Sequence, residues 1–300
     1  MRTMIASAVL LLAAGAPALA DDACPLRRVA ALDMTIEAAG RMLVPMKIGD
    51  RDANMLIDTG GINSMLNADF VKAQKLSTRS YPSGFYLIMF GGLQISHYAI
   101  ANNVDFGGLK ADTLQFAVIP GGYTPAGQDG LLAPDILRSY DVDFDFANAR
   151  FSLFSPDHCP GKVNYWSKTA DVAEIPIEID QVGHIRVPIT VDGQRIDAAL
   201  DTGAYRTTIS LETMRDKFDI GRNDPNLKPL GDSDPGSFRY PFKSLSFGGV
   251  TVTNPDIVLT PNGVSKMRGL AIIGMGILRQ LHLYIAYKEK KLYVTAASAH

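Results

Sequence analysis

Two aspartic acids stand at equivalent places in the sequence, each followed by a threonine and a glycine. The first triplet is Asp58-Thr59-Gly60 and follows the apolar run 55–57, and the second triplet is Asp201-Thr202-Gly203 and follows the apolar run 198–200. Two carboxylates within hydrogen-bond distance cannot both ionise easily, so they share one proton. The ionised carboxylate can accept a proton from a water, while the protonated one polarises the carbonyl that the water attacks. The triplets therefore predict hydrolysis without a metal if the fold brings Asp58 and Asp201 together.

The other two residues of each triplet are suited to holding such a pair. Gly60 and Gly203 permit a tight turn and a close backbone approach, so that main-chain amides can reach the carboxylates. The hydroxyls of Thr59 and Thr202 can hydrogen-bond across to the opposite loop and keep it rigid. We therefore predict that these four residues support the two acids.

The triplets belong to a longer internal repeat. Asp58 and Asp201 lie 143 residues apart, and the pair Ser64 and Thr207 keeps that offset. Further along the chain the offset is 141 residues, as shown by Phe106-Gly107-Gly108 with Phe247-Gly248-Gly249 and by Leu131-Leu132 with Ile272-Ile273. Two similar units packed about a pseudo-twofold axis bring equivalent positions together. The repeat therefore predicts that the two acids meet.

Short strand patterns separated by glycine-containing turns recur throughout both units. This pattern is typical of an all-β protein, and we predict two pseudo-symmetric β-barrel-like lobes with a few short helices. The lobes are predicted at residues 21–155 and 174–300, with a linker at 156–173. The short helices are predicted at Asn67–Lys75, Pro134–Tyr140, Leu211–Lys217 and Gly276–Leu281.

The amino-terminal residues have the pattern of a secretory signal. Arg2 precedes the apolar stretch 5–14, which is too short to span a bilayer, and Ala18-Leu19-Ala20 is a small-x-small cleavage site. We expect residues 1–20 to be a signal peptide and the protein to be periplasmic or secreted, with no stable membrane insertion. An uncleaved anchor is the alternative. The formal net charge of −2 provides no basic surface for nucleic acid.

The two cysteines, Cys24 and Cys159, are compatible with export. In an oxidising compartment they can pair, and the closed loop of about 135 residues would contribute roughly 4 kcal/mol on the chain-entropy model. Two free thiols are the alternative. The histidines have no metal-ligand spacing, so we expect neither a metal nor a cofactor; they are His97, His158, His184, His282 and His300. Asp141, Asp143 and Asp145 alternate along a strand, and we expect them to form a solvated face.

Taken together, these motifs resemble the aspartic peptidases of the pepsin and retropepsin superfamily, including the bacterial exported retropepsin-like proteins with two units in one chain. The resemblance rests on the two triplets, on Ser64 and Thr207 four positions beyond their glycines, and on Ile272-Ile273-Gly274. It spans residues 40–155 and 183–296. It implies an acid protease fold and a monomeric endopeptidase with Asp58 and Asp201 as catalytic residues. The implied partner is an extended polypeptide substrate between the lobes.

The same resemblance implies which other residues contact the substrate. The hairpin Phe85–Tyr98, with Gly91 and Gly92 at its tip, corresponds to the flap that covers the substrate in this superfamily. An ordinary sheet hairpin is the alternative. The stretch 229–240 of the second unit is predicted to be a loop, so we expect one dominant flap. Four further residues match positions that flank the substrate, with surface or packing roles as the alternative; they are Ile62, Asn63, Tyr205 and Arg206.

Two departures from the superfamily pattern concern the residues around the triplets. Ala133 stands in the first unit where Gly274 stands in the second, and the triplets are followed by Gly61 and Ala204. Pepsin-like members have a hydroxyl residue directly after the triplet. Its absence should stabilise the carboxylate pair less, so we expect activity at milder acidity than in pepsins unless Arg206 points at the pair. The departures also leave open a weak or inactive peptide-binding module on the same scaffold.

Overall fold

The computed structural model describes residues 24–37, 40–89, 92–168, 172–232, 234–261 and 270–298. The predicted signal peptide lies outside these residues. In the first half of the chain the strands are β1 (Arg28–Asp33), β2 (Thr35–Ile36), β3 (Met42–Ile48), β4 (Arg51–Ile57), β5 (Met65–Asn67), β6 (Ser77–Ser80), β7 (Leu87–Ile88), β8 (Gln94–Ile95), β9 (His97–Phe106), β10 (Leu109–Ile119), β11 (Gly130–Leu132), β12 (Asp141–Asp145) and β13 (Arg150–Phe154). The helices there are α1 (Ala68–Ala73) and α2 (Pro134–Leu137).

The second half repeats this order of elements. Its strands are β14 (Ala173–Pro176), β15 (Glu178–Ile179), β16 (Ile185–Val191), β17 (Gln194–Leu200), β18 (Thr207–Ser210), β19 (Lys228–Pro229), β20 (Phe238–Arg239), β21 (Ser244–Phe247), β22 (Val250–Thr253), β23 (Ile257–Thr260), β24 (Ala271–Ile273), β25 (Leu281–Ala286) and β26 (Lys291–Ala296). Its helices are α3 (Leu211–Phe218) and α4 (Met275–Leu278). Among the described residues, no helix is long and apolar enough to cross a membrane.

Each half of the chain forms a barrel-like sheet, as the sequence predicted. The first lobe is an eight-stranded sheet in the order β2-β3-β4-β11-β5-β10-β9-β6, and an additional pairing of β3 with β9 closes it. The second lobe is a ten-stranded sheet with the path β19-β20-β23-β18-β24-β17-β16-β21-β22, on which β15 pairs with β16. Both lobes contain the same two parallel pairs, β4 with β11 and β5 with β10 in the first and β17 with β24 and β18 with β23 in the second.

A third sheet joins the two halves. It has six strands in the order β1-β13-β12-β25-β26-β14, and its central strands come from different halves, with Phe144 of β12 opposite Leu283 of β25. Part of the predicted linker lies on this sheet, because Trp166 stacks on His282 with ring centroids 4.5 Å apart. A disulfide between Cys24 and Cys159, with Cα atoms 5.1 Å apart, attaches the same stretch to the start of the described chain.

The prediction of a solvated face on β12 is wrong. Asp141 and Asp143 are buried, because β12 is a central strand and residues 156–168 pack over it. Nε2 of His158 lies 2.5 Å from Asp141 Oδ2, and Nε2 of His282 lies 2.7 Å from Asp143 Oδ1. Both carboxylates also accept a tyrosine hydroxyl, at 3.1 Å for Asp141 and 2.7 Å for Asp143. These hydrogen bonds offset part of the cost of burying the two carboxylates, while Asp141 Oδ1 has no partner among the described residues.

Candidate active site

The two acids follow strands that are fixed in the same way in both lobes. β4 ends at Ile57 and runs parallel to β11, and the Asp58 amide donates to Leu132 O at 2.9 Å. β17 ends at Leu200 and runs parallel to β24, and the Asp201 amide donates to Ile273 O at 3.0 Å. Since the strands are apolar and buried, each acid stands at the point where the core ends and the loop begins.

The structure brings the two acids together. A methyl group on Gly60 would lie 2.2 Å from Asp201 Cγ, and one on Gly203 would lie 2.4 Å from Asp58 Oδ1. Atoms do not approach that closely, so only glycine lets each loop pass the opposite carboxyl group. The Gly60 amide donates to Asp58 Oδ1 at 3.1 Å, and the Gly203 amide donates to Asp201 Oδ1 at 2.8 Å. The amide of each triplet glycine therefore reaches the carboxylate of its own triplet.

The two threonines lock the loops to each other. The Thr59 amide donates to Thr202 Oγ1 at 3.1 Å, and the Thr202 amide donates to Thr59 Oγ1 at 3.0 Å. Each hydroxyl then donates to a carbonyl of the opposite strand, Thr59 to Leu200 O at 2.8 Å and Thr202 to Ile57 O at 2.7 Å. All four hydrogen bonds are buried and symmetric, so they fix the separation of the two carboxyl groups.

Burial and proximity favour a protonated form of this pair. Burial raises the pKa of Asp58 to about 8, the charge of Asp201 adds to that shift, and the Gly61 and Gly60 amides oppose it. Burial also raises the pKa of Asp201, against the amides of Gly203 and Ala204, the hydrogen bond with Asp58 and the charge of His184. Two carboxyls this close cannot both ionise easily, so the pair favours a state in which they share one proton.

The residue after each triplet is matched by the residue behind it. A methyl group on Gly61 would lie 3.2 Å from the Ala133 Cβ atom and 3.0 Å from Asp58 Oδ2. In the second lobe a methyl group on Gly274 would meet the main chain of the loop, 2.4 Å from Arg206 O and 2.7 Å from Ala204 O. The first lobe has Gly61 with Ala133, and the second lobe has Ala204 with Gly274. Ala133 therefore lies beside a loop residue that has no side chain.

The two loops are also attached to the following helix by different bonds. In the second lobe the Met275 amide donates to Ala204 O at 2.8 Å and the Gly276 amide donates to Tyr205 O at 3.0 Å. Proline at 134 has no amide hydrogen for the first of these bonds. Instead, Asp135 accepts from the Ser64 amide at 2.8 Å and from its hydroxyl at 2.6 Å. Asp135 was not predicted from the sequence. The repeat could have indicated it, because Asp135 is an acid at the position equivalent to Gly276 in the second unit.

The predicted substrate-flanking residues lie beside the triplets with different exposures. Ile62 and Tyr205 are exposed apolar side chains, with 45% and 52% of their surface accessible. Asn63 is half-buried. The Arg206 guanidinium donates to Asp234 Oδ2 at 3.1 Å, so its charge is directed to that carboxylate and not to the acid pair. Arg206 therefore does not point at the acid pair, and the expectation of activity at milder acidity than in pepsins stays a prediction.

The predicted flap is a short hairpin. β7 and β8 pair antiparallel with Leu87 opposite Ile95, and the Gly92 amide donates to Met89 O at 3.0 Å; Gly91 lies outside the described residues. The side chains of Phe85, Tyr86 and Ile88 are exposed. Beneath the hairpin, Tyr81, Leu87 and Met89 pack on a small apolar cluster made of Leu43, Leu56, Met65, Ile95, Ala117, Ile119, Leu131 and Ala133. This cluster connects the hairpin to the residue behind the first triplet.

The corresponding stretch of the second lobe was predicted to be a loop, but part of it forms paired strands. Lys228 pairs with Arg239 and Pro229 with Phe238, which gives a two-residue ladder between β19 and β20. This ladder continues through β20 onto β23. The proline at 229 is tolerated because β19 is the edge strand of the sheet.

Another repeated feature lies just before β3 and β16 and was missed from the sequence. Gly40 and Gly183 lie 143 residues apart and both have left-handed backbone angles, with φ of 82° and 98°. A methyl group on Gly40 would lie 2.8 Å from the Tyr205 ring, and one on Gly183 would lie 2.5 Å from Pro134 Cβ. In each lobe the turn before the strand hairpin therefore packs against the other lobe. The 143-residue offset between the two glycines could have indicated the repeated turn in the sequence.

Outside the acid pair, the described residues provide little for a cofactor. A surface cavity of about 560 Å³ lies beside α1 and is lined by Val71, Ile95 and Val118, with Lys72 and Lys75 also in its wall. None of the triplet residues lines it. In the described part of the chain, no group of three or more His, Cys, Asp or Glu side chains is arranged to hold a metal ion.

The sequence matches the family model described as aspartyl protease twice, over residues 44–135 and 187–277. The chain belongs to the aspartyl protease family. Each of the two matched segments contains one triplet, so the family's repeated unit corresponds to one lobe. The resemblance to pepsin-like and retropepsin-like peptidases is thereby confirmed, whereas the bacterial exported type stays a prediction.

Solved structures show the fold of this aspartyl protease family member independently. The crystal structure of aspartic proteinase from Irpex lacteus is similar with a TM-score of 0.60 at 15% identity, covering 89% of this chain and 97% of that one. Basic 7S globulin from soybean is similar with a TM-score of 0.55 at 10% identity, covering 92% and 96%. At these identities the similarity shows the two-lobed fold alone. A comparison with curated protein sequences finds no match.

Proposed function

We propose that this protein is an aspartic endopeptidase in which Asp58 and Asp201 activate a single water. The observation that carries the proposal is the contact of each carboxyl group with the glycine of the opposite triplet, together with the buried threonine bonds that hold the two loops. Such a pair has one basic and one acidic oxygen at the same time. General acid–base hydrolysis requires this combination.

The proposed reaction proceeds through a tetrahedral intermediate. The ionised carboxylate removes a proton from the water as its oxygen bonds to the peptide carbon, and the protonated carboxyl hydrogen-bonds to the carbonyl oxygen and transfers its proton there. As the carbon–nitrogen bond breaks, the protonated carboxyl group gives its proton to the peptide nitrogen, and the ionised carboxylate takes a proton from one hydroxyl of the intermediate, whose oxygen becomes the new carbonyl. The products are a free amine and a free carboxylic acid, and the pair returns to its singly protonated state. No step needs a metal.

The proposed substrate is an extended polypeptide bound between the lobes. The flap hairpin offers main-chain groups for pairing with an extended chain, and its exposed side chains are aromatic or aliphatic. Ile62 and Tyr205, which follow the first and second triplet in sequence, add exposed apolar surface. These exposed side chains favour substrates with apolar residues near the cleaved bond. The proposal includes a monomeric enzyme, since one chain supplies both acids.

We also propose that the protein works outside the cytoplasm. The amino-terminal signal pattern supports export, and so does the disulfide, since such bonds persist in oxidising compartments. A peptide- or protein-binding module on the same scaffold is the second candidate function. It is favoured by one observation, the similarity to a protein that is named a globulin and not a proteinase.

Cleavage of a mixed peptide library between pH 3 and 7 tests the proposal. We expect Asp58→Asn and Asp201→Asn each to lower the cleavage rate by about 10³-fold, because each removes one partner of the acid–base pair. Asp52→Asn and Asp197→Asn are matched controls, since they make the same change at exposed positions of the strands that lead to the two acids. Cleavage that survives either Asp58→Asn or Asp201→Asn contradicts the mechanism.

The same experiment separates the second candidate. A statine-type inhibitor mimics the tetrahedral intermediate, so a peptidase binds it more tightly than it binds peptide. We expect the inhibitor to bind the native protein and to block cleavage. Peptide binding without cleavage at any pH in this range would favour the binding module.

A further inference from the structure

The cavity beside α1 also lies at the base of the flap hairpin. Its volume is about 560 Å³, and none of the triplet residues lines it. Gln94 and Ile95 of β8 form part of its wall, and so do Val71 and Lys72 of α1. Cavities of roughly 300–1,000 Å³ are the size that small ligands occupy in proteins. We call this space the flap-base cavity.

The floor of the flap-base cavity is apolar. Val71 and Ile95 are buried, and three further apolar lining residues are half-buried; they are Leu76, Val118 and Pro120. An apolar group placed against these side chains is removed from water, which favours binding. The cavity is therefore suited to a ligand with an apolar body.

The rim of the flap-base cavity has positive charge and no acid. Lys72 and Lys75 are exposed, and neither forms an ion pair with a carboxylate among the described residues. The remaining ionisable residue of the lining is His97, which can add only positive charge. Asp69 also belongs to α1 but does not line the cavity, and its Oδ1 atom would lie 3.6 Å from a methyl group on Gly121. The rim is therefore complementary to an anion.

The second lobe compensates the corresponding charge. Helix α3 takes the place of α1 in the repeat, and Arg215 at the position of Lys72 donates to Asp216 at 2.8 Å. At the end of α3, Phe218 packs against Phe242 with ring centroids 6.0 Å apart. Unpaired lysines beside an open apolar floor are therefore not a general consequence of the repeated fold.

The wall of the flap-base cavity is part of the flap hairpin itself. Ile95 lies opposite Leu87 in the ladder between β7 and β8, and Gln94 lies opposite Ile88. Ile95 also belongs to the apolar cluster that contains Ala133, the residue behind the first triplet. A ladder of two residue pairs has little stability of its own. Contacts between a ligand and β8 should therefore contribute measurably to the stability of the hairpin.

We propose that the flap-base cavity binds a carboxylate with an apolar body and that the bound ligand stabilises the flap hairpin. The apolar body lies on the floor, and the carboxylate lies at the rim beside Lys72 and Lys75. Medium-chain fatty acids and peptides that end in an apolar residue share this chemistry. No residue of either triplet takes part, so the proposal does not rest on the proposed peptidase function.

Isothermal titration calorimetry with octanoate tests the site. We expect octanoate to bind with a dissociation constant below about 1 mM. Butanoate is four methylene groups shorter and should bind at least about tenfold more weakly. Octan-1-ol has the same apolar body without the charge and should bind about fivefold more weakly. N-acetyl-leucyl-leucine has the same chemistry in a peptide, and the tighter of this ligand and octanoate identifies the source.

Two kinds of variant separate the charge of the rim from the space of the cavity. The double variant Lys72→Gln/Lys75→Gln removes both exposed charges and should weaken octanoate binding by about fivefold. Lys47→Gln/Lys110→Gln is the matched control, since it removes two exposed lysines of the same lobe that do not line the cavity. Thr78→Trp keeps the charges but fills the cavity from an exposed position of β6, and should abolish binding.

Hydrogen exchange measures the effect of the ligand on the flap hairpin. The Met89 amide donates to Leu93 O at 2.9 Å, and the Gly92 amide donates to Met89 O at 3.0 Å, so both amides report opening of the hairpin. We expect saturating octanoate to slow their exchange by about twofold or more. The Leu230 amide, which donates to Ser237 O in the second lobe, is the control and should exchange at an unchanged rate.

Each outcome decides one part of the proposal. If neither octanoate nor N-acetyl-leucyl-leucine binds at about 10 mM, the site is rejected. Equal weakening by the Lys72→Gln/Lys75→Gln variant and by its control rejects the role of the rim, and undiminished binding by Thr78→Trp rejects the cavity as the location. Binding with unchanged exchange at Met89 and Gly92 rejects the effect on the flap. Binding with slower exchange supports the proposal even in a protein that cleaves no peptide.

Discussion

At the scale of single residues, the two lobes differ in which of two neighbouring positions has a methyl group, the position after the triplet or the position behind the triplet loop. Gly61 lies against Ala133 in the first lobe, whereas Ala204 lies against Gly274 in the second. The first lobe has glycine after the triplet and alanine behind it, and the second lobe has the reverse order. A reversed pair should be sensitive to change at either position alone and less sensitive to both changes together.

We predict that Gly61→Ala lowers the free energy of unfolding by about 1–2 kcal/mol, because the new methyl group would lie 3.2 Å from Ala133 Cβ and 3.0 Å from Asp58 Oδ2. Ala133→Gly alone should cost about 1 kcal/mol through a small cavity and a more flexible unfolded chain. The double variant should be more stable than the sum of the two effects predicts, by about 0.5 kcal/mol or more. Urea unfolding of the four proteins measures this coupling, and strict additivity would contradict the packing argument.

At the scale of elements, the start of α2 and the start of α4 hold equivalent loops by different chemistry. α4 uses two main-chain amides, whereas α2 begins with Pro134 and uses the Asp135 carboxylate to accept from Ser64. The Ser64 hydroxyl in turn accepts the Ala133 amide at 3.0 Å. Burial raises the pKa of Asp135, while its bonds to Ser64 act in the opposite direction. Part of the first loop is therefore fixed by a side chain that must stay unprotonated to accept both hydrogens.

We predict that Asp135→Asn lowers the free energy of unfolding by about 1–3 kcal/mol, since the amide cannot accept from both the Ser64 amide and its hydroxyl. Gly276→Ala is the matched control at the equivalent position of the second lobe, where the added methyl group meets its nearest neighbour, Tyr205 O, at an ordinary 3.7 Å. It should change stability by less than about 0.5 kcal/mol. Equal effects of the two substitutions in urea unfolding would show that Asp135 has no special role.

At the scale of the whole molecule, the sequence predicts what depends on local pattern and misses what depends on pairing between distant segments. Short strands, glycine turns and the position of the acids follow from alternation and from the repeat. The burial of Asp141 and Asp143 does not, because β12 is covered by its pairing with β25 and by residues 156–168. Their partners His158 and His282 lie 17 and 139 residues away, and no local rule connects them. The turns at Gly40 and Gly183 were readable from the 143-residue offset, but their contact with the opposite lobe was not.

The buried acids of the two triplets and of β12 affect how the stability of the whole molecule depends on pH. Burial raises the pKa of Asp58, Asp201 and Asp141. Burial alone would lower the pKa of His158, but its hydrogen bond to Asp141 and other neighbours give a net rise. Each of these groups binds its proton more tightly in the folded protein than in the unfolded chain. Their contribution is therefore complete at low pH and is lost as the pH rises through the folded-state pKa.

An opposite contribution limits stability on the acid side. The pKa of Asp180 is lowered in the folded protein, because its bonds to the amide and ring of His184 outweigh the effect of its burial. This group stabilises the fold above the ordinary pKa of an aspartate and loses that effect as the pH falls. Together the two kinds of shift place the stability maximum in weak acid, below the pKa of about 8 at which Asp58 ionises.

We predict that the free energy of unfolding falls between pH 5 and pH 8, by on the order of 3 kcal/mol. Asp58→Asn should flatten this decline and be more stable than the native protein at pH 8, because a neutral amide replaces a carboxyl group that must ionise in a buried site. Asp52→Asn, at an exposed position on the same strand, should follow the native curve. Urea unfolding at pH 5, 6.5 and 8 measures all three profiles. A native protein that gains stability up to pH 8, or an Asp58→Asn profile parallel to it, would show that the acid pair is not held in its protonated state by the fold.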